Sequence, residues 1–352
     1  MSRLKVGVIG AGAISPSHCK GTLGHSDAEL IAIADTNPTR VAEIKKEFGI
    51  PKSYSTIEEI VTDSDLDAIT IGLPTFLHAD VAISALEAGK HVFLDKPFAM
   101  NQEEAARVIK TANDNGKIFC VGMNQRFEAD SQTIKTIASR GDLGDVYHGK
   151  AYWMRRAGIP RLGTWFGSKE RSGGGALLDI GVHMLDLCLS LMDNFEPEAV
   201  SGFSHTKFGN RGLGEGGWGK SDREEVTFDV DDFSGALIKL KGGASVMLEV
   251  SWARHQELAS THNVELFGTE GGAKAYPARV FRYASEPGEY DVVEPQGVPI
   301  RYEHADRVHN WLDAILGIDT LECKPEQSLA VQKIIDAIYN SAASGREVII
   351  NR

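Results

Sequence analysis

A glycine-rich turn near the N-terminus places the strongest constraint on how this chain can fold. The apolar stretch Leu4–Ile9 continues directly into Gly10-Ala-Gly12-Ala-Ile-Ser15. In a strand–turn–helix unit the first glycine permits the tight turn, and the second lets the backbone approach a phosphate group. The third position of this G-x-G-x-x-G pattern is Ser15, which is small but not glycine. We expect a helix through His18–Leu23 whose N-terminus can receive an anion.

An acidic residue after the next apolar stretch supports a dinucleotide site. The second predicted strand ends at Asp35, about twenty residues after the motif, where a carboxylate accepts from the adenosine ribose hydroxyls and repels a 2′-phosphate. By itself Asp35 also fits a turn or helix-cap acid. Together with the motif, Asp35 favours NAD as the cofactor. Arg40, one helical turn onward, can pair with a 2′-phosphate, so NADP stays an alternative. The expected cofactor contacts here are Gly10, Gly12, Ala13, Ile14, Asp35 and Arg40.

Short apolar stretches alternate with segments of helical period through the first third of the chain. This alternation is typical of β-α-β units with a parallel sheet. We therefore predict an α/β N-terminal Rossmann domain, a doubly wound parallel sheet, over residues 1–122. The predicted strands are Leu4–Ile9, Leu30–Ala34, Ala68–Leu73, His91–Leu94 and Ile118–Gly122, and the predicted helices are Thr39–Phe48, His78–Ala88 and Gln102–Asn115, with Gly49, Gly89 and Gly116 as C-terminal stops.

The pattern changes after this point, and we predict an α+β C-terminal domain with a large, mostly antiparallel open sheet over residues 123–352. Gly235–Leu240 and Ala244–Val250 flank a Gly-Gly turn, which indicates an antiparallel hairpin. Asn210–Lys220 holds five glycines and is predicted to be a flexible excursion. Further predicted strands are Val146–Arg155, Val200–Phe208 and Asn263–Phe267, and the predicted helices are Gln132–Ser139, Ala176–Met192, Arg307–Leu316 and Ser328–Ser344.

The charge balance argues against two classes of partner. The chain has 37 Lys plus Arg against 49 Asp plus Glu, a net charge of −12, and no basic cluster offsets it. We therefore expect no nucleic acid and no membrane partner. The four cysteines lie far apart without a C-x-x-C pair, and no segment is expected to supply the roughly 18 to 20 apolar residues that span a bilayer. The expected location is the cytoplasm.

Two further stretches carry reactive side chains. Asp179, His183, Asp186 and Ser190 lie at helical spacing on an otherwise apolar segment that has no Lys, Arg or Glu. We interpret this stripe as the wall of a cleft, because a solvent face normally carries those residue types. Lys96 follows a predicted strand at the sheet edge where open α/β folds bind their ligands, although a lysine there also fits a surface charge.

Four ordered motifs together resemble the Gfo/Idh/MocA family, named after glucose-fructose oxidoreductase and inositol dehydrogenase, over essentially the whole chain. They are the glycine motif, Pro74-Thr-Phe-Leu-His78, Asp95-Lys96-Pro97 and Asp179-Ile-Gly-Val-His183, and Asn124–Phe127 and Phe267–Gly271 also match. Asp95 replaces the usual Glu, a shorter side chain. For cofactor binding, the resemblance adds Pro74, Thr75, His78, Asp95, Lys96 and Gln125.

The resemblance implies that Lys96, Asp179 and His183 form a hydride-transfer site. A histidine is suited to take a hydroxyl proton while hydride leaves the same carbon for NAD. Lys96 would stabilise the developing alkoxide and reach towards the nicotinamide ribose, and Asp179 would hold a second hydroxyl or orient His183. A divalent metal is the alternative use of Asp and His, but no third ligand stands at a motif spacing, so we expect no metal.

Substrate contacts are less strongly indicated. Aromatic rings can cover the apolar faces of a sugar, and arginines can donate to hydroxyl or anionic groups. Trp165 is the best stacking candidate, while each arginine fits a surface ion pair equally well. The predicted substrate-binding residues are Lys96, Arg126, Arg155, Trp165, Asp179 and His183.

These observations predict an NAD-dependent dehydrogenase that acts on a secondary hydroxyl of a cyclic polyol, sugar or sugar derivative, with glucosides and anhydrosugars as one subgroup. Two alternatives stay open. One is a nucleotide-sensing regulatory protein without turnover, and the other is an NAD-dependent glycosidase that uses transient oxidation. Apolar sheet residues such as Leu237, Met247 and Leu248 would be exposed to solvent on an open sheet. We therefore predict a homodimer or homotetramer in which they are covered.

Overall fold

The chain folds into two compact units. The first comprises Met1–Asn124 and Tyr302–Leu329, and the second comprises Gln125–Arg301 and Ala330–Arg352. Sequence patterns placed everything after residue 122 in the second domain, whereas residues near the C-terminus pack with the first unit. The structure is a computed structural model, and it describes residues 3–216, 227–284, 286, 288–302 and 307–350.

The first unit is built on six parallel strands in the order β3-β2-β1-β4-β5-β6. The predicted α/β, doubly wound fold class is confirmed. All five predicted strands are present, and the sequence analysis missed only the short edge strand β3, whose three residues lack an apolar pattern. The strands are β1 (Leu4–Ile9), β2 (Ala28–Ala34), β3 (Lys52–Tyr54), β4 (Ala68–Ile71), β5 (His91–Asp95) and β6 (Phe119–Gly122).

Five helices connect these strands. The predicted helices are present within a few residues, and Gly49, Gly89 and Gly116 follow them with φ values of +67°, +78° and +60°, the left-handed conformation that ends a helix. The missed helix is α3, a single turn begun by a capping box between Thr56 and Glu59. The helices are α1 (Ser15–Gly24), α2 (Pro38–Phe48), α3 (Ile57–Val61), α4 (His78–Glu87) and α5 (Gln102–Asp114).

The second unit contains a nine-stranded sheet in the order β14-β13-β12-β11-β7-β10-β9-β8-β15. Its neighbours are antiparallel except β7 and β10, so the prediction of a mostly antiparallel sheet is confirmed. The strands are β7 (Val146–Arg155), β8 (Pro197–His205), β9 (Phe233–Leu240), β10 (Ser245–Ser251), β11 (Ser260–Gly268), β12 (Gly272–Lys274), β13 (Arg279–Tyr283), β14 (Tyr290–Val293) and β15 (Val348–Ile349).

The hairpin and one strand end of this sheet were predicted from sequence. The predicted Gly-Gly hairpin is confirmed, since β9 and β10 pair in register with Met247 opposite Leu237. The strand predicted to reach Phe208 ends earlier, because the amides of Lys207 and Phe208 donate to Asp232 Oδ2 instead of a neighbouring strand. The predicted glycine-rich excursion Asn210–Lys220 is described only as far as residue 216.

The apolar helix predicted over Ala176–Met192 is divided into two parts. Its first part is a π-helical turn over Leu177–Gly181, which contains Asp179, and its second part is α8 (Val182–Met192). Two other helices precede it, α6 (Ala129–Ser139) and α7 (Lys169–Ser172). Contrary to the expectation from sequence, the helical stretch Lys169–Met192 is long and apolar enough to cross a membrane, but 89% of its apolar window is buried, as in a core helix.

Two further helices precede β15, α9 (Arg307–Leu316) and α10 (Pro325–Ser344). Helix α9 packs on α1, β5 and β6 of the first unit. Its Trp311 is fully buried and lies 5.8 Å from Phe93, measured between ring centroids. The thiol of Cys120, on β6, lies 3.6 Å from the carbonyl oxygen of Cys323. The first unit therefore closes its core with residues from the far end of the chain.

Helix α8 covers one face of the nine-stranded sheet through contacts with β7 and β11. The opposite face carries Leu237, Met247 and Phe267, whose exposed fractions are 36%, 36% and 38%. Leu248 was expected to be exposed with them, but it is fully buried because successive residues of a strand point to opposite faces.

Candidate active site

The glycine turn has the geometry that close approach of a phosphate requires. Gly10 has φ +100°, and a Cβ atom there would lie 2.3 Å from the carbonyl oxygen of Gly72, so only glycine fits. A Cβ on Gly12 would meet only that same oxygen, at 4.0 Å, which leaves open space beside the backbone. Ala13 is exposed, and Ile14 is the N-cap of α1 without a side-chain cap. The backbone amides of Gly12, Ala13 and Ile14, directly before the helix, have no hydrogen-bond partner among the described residues and are thus available to an anion.

Ser15, at the third motif position, is fully buried, and its hydroxyl donates to the carbonyl oxygen of Gly12 at 3.2 Å. The departure from glycine therefore does not obstruct the turn. The side chain is folded back onto the motif and stabilises it.

Asp35 links the end of β2 to the glycine turn. Its two carboxylate oxygens accept from the amides of Ala11, at 2.7 Å, and Asn37, at 2.8 Å. Each oxygen has a further lone pair for a ribose hydroxyl. The guanidinium of Arg40 is 3.4 Å from the carbonyl oxygen of Ala11, so it lies beside the same turn. A carboxylate and a guanidinium at one strand end are the two groups that set the preference between NAD and NADP.

The segment after β4 is held by a buried histidine. His78 lies with one ring nitrogen 2.7 Å from the carbonyl oxygen of Pro97 and the other 2.8 Å from that of Leu73. Burial lowers the pKa of His78, against the raising effect of the carbonyls, so the neutral ring donates to one carbonyl at a time. Pro74 is half-buried and Thr75 buried. His78 thus fixes the segment that leads to Pro74 against the turn that follows Lys96.

Asp95 and Lys96 lie at the end of β5. The carboxylate of Asp95 is buried and accepts from the backbone amide of Lys96 at 2.9 Å. Its second oxygen is 3.8 Å from Nε2 of His18, on α1. The side chain of Lys96 is half-buried. Asp95 therefore interacts with its own turn and with the first helix.

Sequence analysis did not single out His18, which is fully buried. Its ring meets Phe93 edge to face at 5.4 Å, and neither ring nitrogen has a hydrogen-bond partner among the described residues. Burial lowers its pKa to about 4, with Asp95 opposing and Arg307 reinforcing the shift. One histidine in a helix gives no sequence signal of this kind, because the three residues that surround it come from distant parts of the chain.

The substrate-side candidates belong to the second unit and begin with Asp179. Its position in a π-helical turn is a local irregularity often found at functional sites. The indole N–H of Trp252 donates to Asp179 Oδ2 at 2.9 Å. Asp231 caps this turn by accepting from the amides of Gly175 and Leu177. Neither Trp252 nor Asp231 was singled out from the sequence.

His183, in the first turn of α8, lies against a row of rings from the sheet. The centroid of Trp153 is 6.2 Å from that of His183 and 5.1 Å from that of His262, which in turn is 5.0 Å from Tyr276. We call Trp153, His262 and Tyr276 the aromatic wall. The guanidinium of Arg155 lies over the Trp153 ring at 4.6 Å. Predicted residues His183 and Arg155 therefore lie against the same indole.

The ionisable side chains beside the aromatic wall are partly removed from water. Burial lowers the pKa of Arg155, and the nearby carboxylate of Asp179 opposes that shift. Burial, then the positive charge of Arg155, lowers the pKa of His262. A neutral His262 can both donate and accept hydrogen bonds, which suits recognition of hydroxyl groups.

Arg126 and Gln125 have strong partners inside the second unit. Arg126 forms a buried bidentate pair with Asp186, with distances of 2.5 and 2.7 Å, so two of its N–H groups are engaged by protein. The hydroxyl of Tyr276 donates to Gln125 Oε1 at 2.8 Å, which ties the predicted cofactor contact to the aromatic wall.

Trp165 stacks on Phe166 with centroids 3.9 Å apart, in a short turn over Trp165–Gly167. Both rings are half-buried, so the stack retains accessible aromatic surface. Among the described residues there is no group of three His, Cys, Asp or Glu side chains that could hold a metal ion.

Comparison with known proteins gives a family for both parts of the chain. Residues 4–123 match the GFO/IDH/MocA family model described as an oxidoreductase family with an NAD-binding Rossmann fold, and residues 131–274 match the family's C-terminal domain. The chain belongs to the GFO/IDH/MocA oxidoreductase family. The geometry at Gly10, Gly12 and Asp35 fits the NAD that this family's Rossmann fold binds.

Several known relatives are similar to this protein over most of its length. D-glucoside 3-dehydrogenase from Escherichia coli is 29% identical over 99% of this chain and 97% of its own length. A putative UDP-kanosamine synthase oxidoreductase subunit from Amycolatopsis mediterranei is 31% identical over 71% of this chain and 67% of its own. The solved structure of levoglucosan dehydrogenase in complex with NADH and levoglucosan has a TM-score of 0.85, covers 99% of this chain and 100% of its own, and shares the fold at 24% identity.

Proposed function

We propose that this protein oxidises one secondary hydroxyl of a sugar, polyol or sugar derivative with NAD as hydride acceptor. The observation that carries the proposal is the arrangement of Asp179 and His183 beside the aromatic wall, in a unit separate from the NAD-binding fold. A base, a carboxylate and aromatic surface are the groups that a polyhydroxylated ring requires. Family membership and the presence of Lys96 directly after β5 support it further.

Each of the three residues has a separate part in this proposal. NAD, when bound, supplies the chemistry of accepting hydride from the carbon that bears the hydroxyl. His183 takes the hydroxyl proton, so the alcohol loses one hydride and one proton and becomes a ketone. Lys96, at the end of β5, stabilises the negative charge that develops on the oxygen. Asp179 accepts from a second hydroxyl and so orients the ring.

For the substrate we favour a glucoside or a closely related hexopyranose derivative. The E. coli relative carries a glucoside dehydrogenase name and aligns over nearly the whole chain. Within the second unit, Arg155 and the aromatic wall add N–H donors beside apolar ring surface, and the Trp165–Phe166 stack adds further aromatic surface. This combination suits a ring with hydroxyls at its rim and an apolar face.

A substrate panel tests the proposal. Methyl α- and β-glucosides, glucose, levoglucosan and myo-inositol are each offered with NAD and with NADP, and NADH absorbance is followed. We expect reduction of NAD with at least one glucoside and formation of the corresponding ketone. Absence of reduction with every compound, while calorimetry shows that NAD binds, would contradict the proposal and favour a nucleotide-sensing protein. Release of free sugar from a glucoside without net NADH would instead identify a glycosidase that uses transient oxidation.

A further inference from the structure

The Asp179 carboxylate on the substrate side is held by the indole of a second residue, Trp252. Trp252 directly follows β10 and is fully buried. Its ring N–H donates to Asp179 Oδ2 at 2.9 Å, whereas Asp179 itself is half-buried. The indole therefore reaches Asp179 from inside the protein. An indole N–H donates but cannot accept, so this contact defines how one carboxylate oxygen is oriented.

Both partners of this hydrogen bond are anchored to one pair of consecutive residues. The carbonyl oxygen of Asp232 accepts from the backbone amide of Trp252 at 2.9 Å. The carbonyl oxygen of Asp231 accepts from the amide of Ala176, also at 2.9 Å. The Asp231 carboxylate additionally accepts from two amides at the start of the π-helical turn and from the hydroxyl of Tyr339. Donor and acceptor are thus fixed to the same short segment.

Close packing leaves this arrangement little freedom. A Cβ atom on Gly175 would lie 1.9 Å from the carbonyl oxygen of Asp231, so the turn and the segment are in direct backbone contact. Asp232 is itself held by the amides of Lys207, Phe208 and Gly209 on its Oδ2. A carboxylate whose donor and backbone share one rigid support keeps its orientation when substrate enters and leaves.

We propose that Trp252 is a positioning residue for the reaction: its ring N–H fixes the Asp179 carboxylate in the orientation that binds and aligns the sugar hydroxyls. This inference rests on the proposed function, because it assumes that Asp179 contacts substrate. Trp252 acts through Asp179, so its contribution disappears when Asp179 is altered. We expect no contribution of Trp252 to NAD binding, since its ring N–H donates to Asp179, which this proposal assigns to the substrate and not to the cofactor.

The test is Trp252→Phe, which removes the N–H and keeps an aromatic ring. We expect kcat/KM for the best panel substrate to fall about 10- to 100-fold, the range for one hydrogen bond to a charged group, while the Kd for NAD stays unchanged. The matched control is Trp311→Phe. That indole is also fully buried, none of the described residues accepts from its N–H, and activity should remain near the wild-type value.

A double-mutant cycle separates positioning from a general structural effect. In an Asp179→Ala background, which removes the acceptor oxygen, Trp252→Phe should lower kcat/KM by less than twofold, because the carboxylate that the indole orients is absent. An equal loss in both backgrounds, or an unchanged kcat/KM in Trp252→Phe alone, would overturn the proposal. If Trp252→Phe does not fold, benzothienyl-alanine at position 252, with sulfur in place of the N–H, gives the same comparison. A wild-type protein inactive on the whole panel refutes the proposed function instead, so the two failures are distinguishable.

Discussion

At the residue scale, His183 carries the most specific chemical expectation. His183→Ala should lower turnover about 10²- to 10⁴-fold, the usual loss when a general base is removed. NAD should still bind with wild-type affinity, because His183 is assigned to the substrate hydroxyl and not to the adenosine half of the cofactor. Steady-state kinetics and NAD titration on the same preparation measure both. His205→Ala, an exposed histidine on β8, is the control that should keep full turnover; near-normal turnover in His183→Ala would show that another group removes the proton.

Asp35 should control cofactor choice rather than turnover. Asp35→Ala removes an acceptor for the ribose hydroxyls and a repulsion against a 2′-phosphate. It also removes one hydrogen bond that supports the glycine turn, from Ala11, and one that supports the turn before α2, from Asn37. We expect weaker NAD binding and a smaller preference for NAD over NADP, while Arg40 remains to attract phosphate. Fluorescence titration with both nucleotides measures the ratio. The exposed Asp65, paired with Lys52, provides the control Asp65→Ala; the Asp35 assignment fails if the ratio is the same in both variants.

His18 should make the protein less stable as pH falls. Burial lowers its pKa to about 4, whereas the unfolded chain has the ordinary value of 6.5. Between these pH values the unfolded state binds more protons, so the free energy of unfolding decreases as pH is lowered from about 6.5 to about 4, by on the order of 3 kcal/mol in total.

Urea unfolding across this pH range measures that decrease. His18→Phe keeps a ring beside Phe93 and cannot take a proton, so its stability should depend less on pH. Burial also lowers the pKa of His91 to about 4, but that group is present in both proteins and its contribution cancels. Parallel curves for wild type and His18→Phe would show that the ring is not kept neutral.

Among the secondary-structure elements, α8 is tied to the short turn Asn124–Phe127 by a buried ion pair. Asp186→Ala leaves the guanidinium of Arg126 buried without its carboxylate, which should cost about 3 to 5 kcal/mol of unfolding free energy. The double variant Arg126→Met, Asp186→Leu should recover most of the loss, because no charge is then left buried. Thermal and urea unfolding give both values; equal stability of Asp186→Ala and wild type would mean that the pair contributes nothing.

Elements with a strong apolar period could be predicted from sequence, and those defined by tertiary contacts could not. Strand β7 was predicted to the residue, and aromatic residues such as Tyr147, Tyr152 and Trp153 are typical of a strand. The π-helical turn at Asp179 was not, because an inserted residue in a helix leaves no mark in an apolar segment. The prediction of a polar stripe assumed regular helical spacing. In the structure Asp186 forms an ion pair with Arg126, and the indole N–H of Trp252 donates to Asp179.

The candidate site follows the same rule. Motifs located Lys96, Asp179 and His183, since each belongs to a short local pattern. Trp252, His262 and His18 depend on strands or helices that meet only in the folded chain. Local sequence therefore indicates candidate reactive groups, whereas the residues that contact them are visible only in the folded chain.

At the scale of the whole molecule, the exposed sheet face should join copies of this chain. Leu237, Met247 and Phe267 lie on one face with about a third of each side chain exposed, and we expect a homodimer or homotetramer that covers them. Sedimentation should give a mass that is a multiple of 38.2 kDa. The double change Leu237→Glu, Met247→Glu should yield monomers, whereas Ile318→Glu, at a more exposed apolar residue of the first unit, should not. A wild-type monomer at micromolar concentration would refute this expectation.

The return of Tyr302–Leu329 to the first unit has a consequence for the order in which the protein can be made. When only the glycine turn and the six parallel strands have left the ribosome, the surface of β5 and β6 that α9 covers in the folded protein is still exposed to solvent. Phe93 then lacks its contact with Trp311. The nucleotide-binding unit therefore completes its core only after residues 302–329 have been synthesised. We expect nascent chains that stop before residue 302 to need chaperone protection and to be degraded more readily than the finished protein.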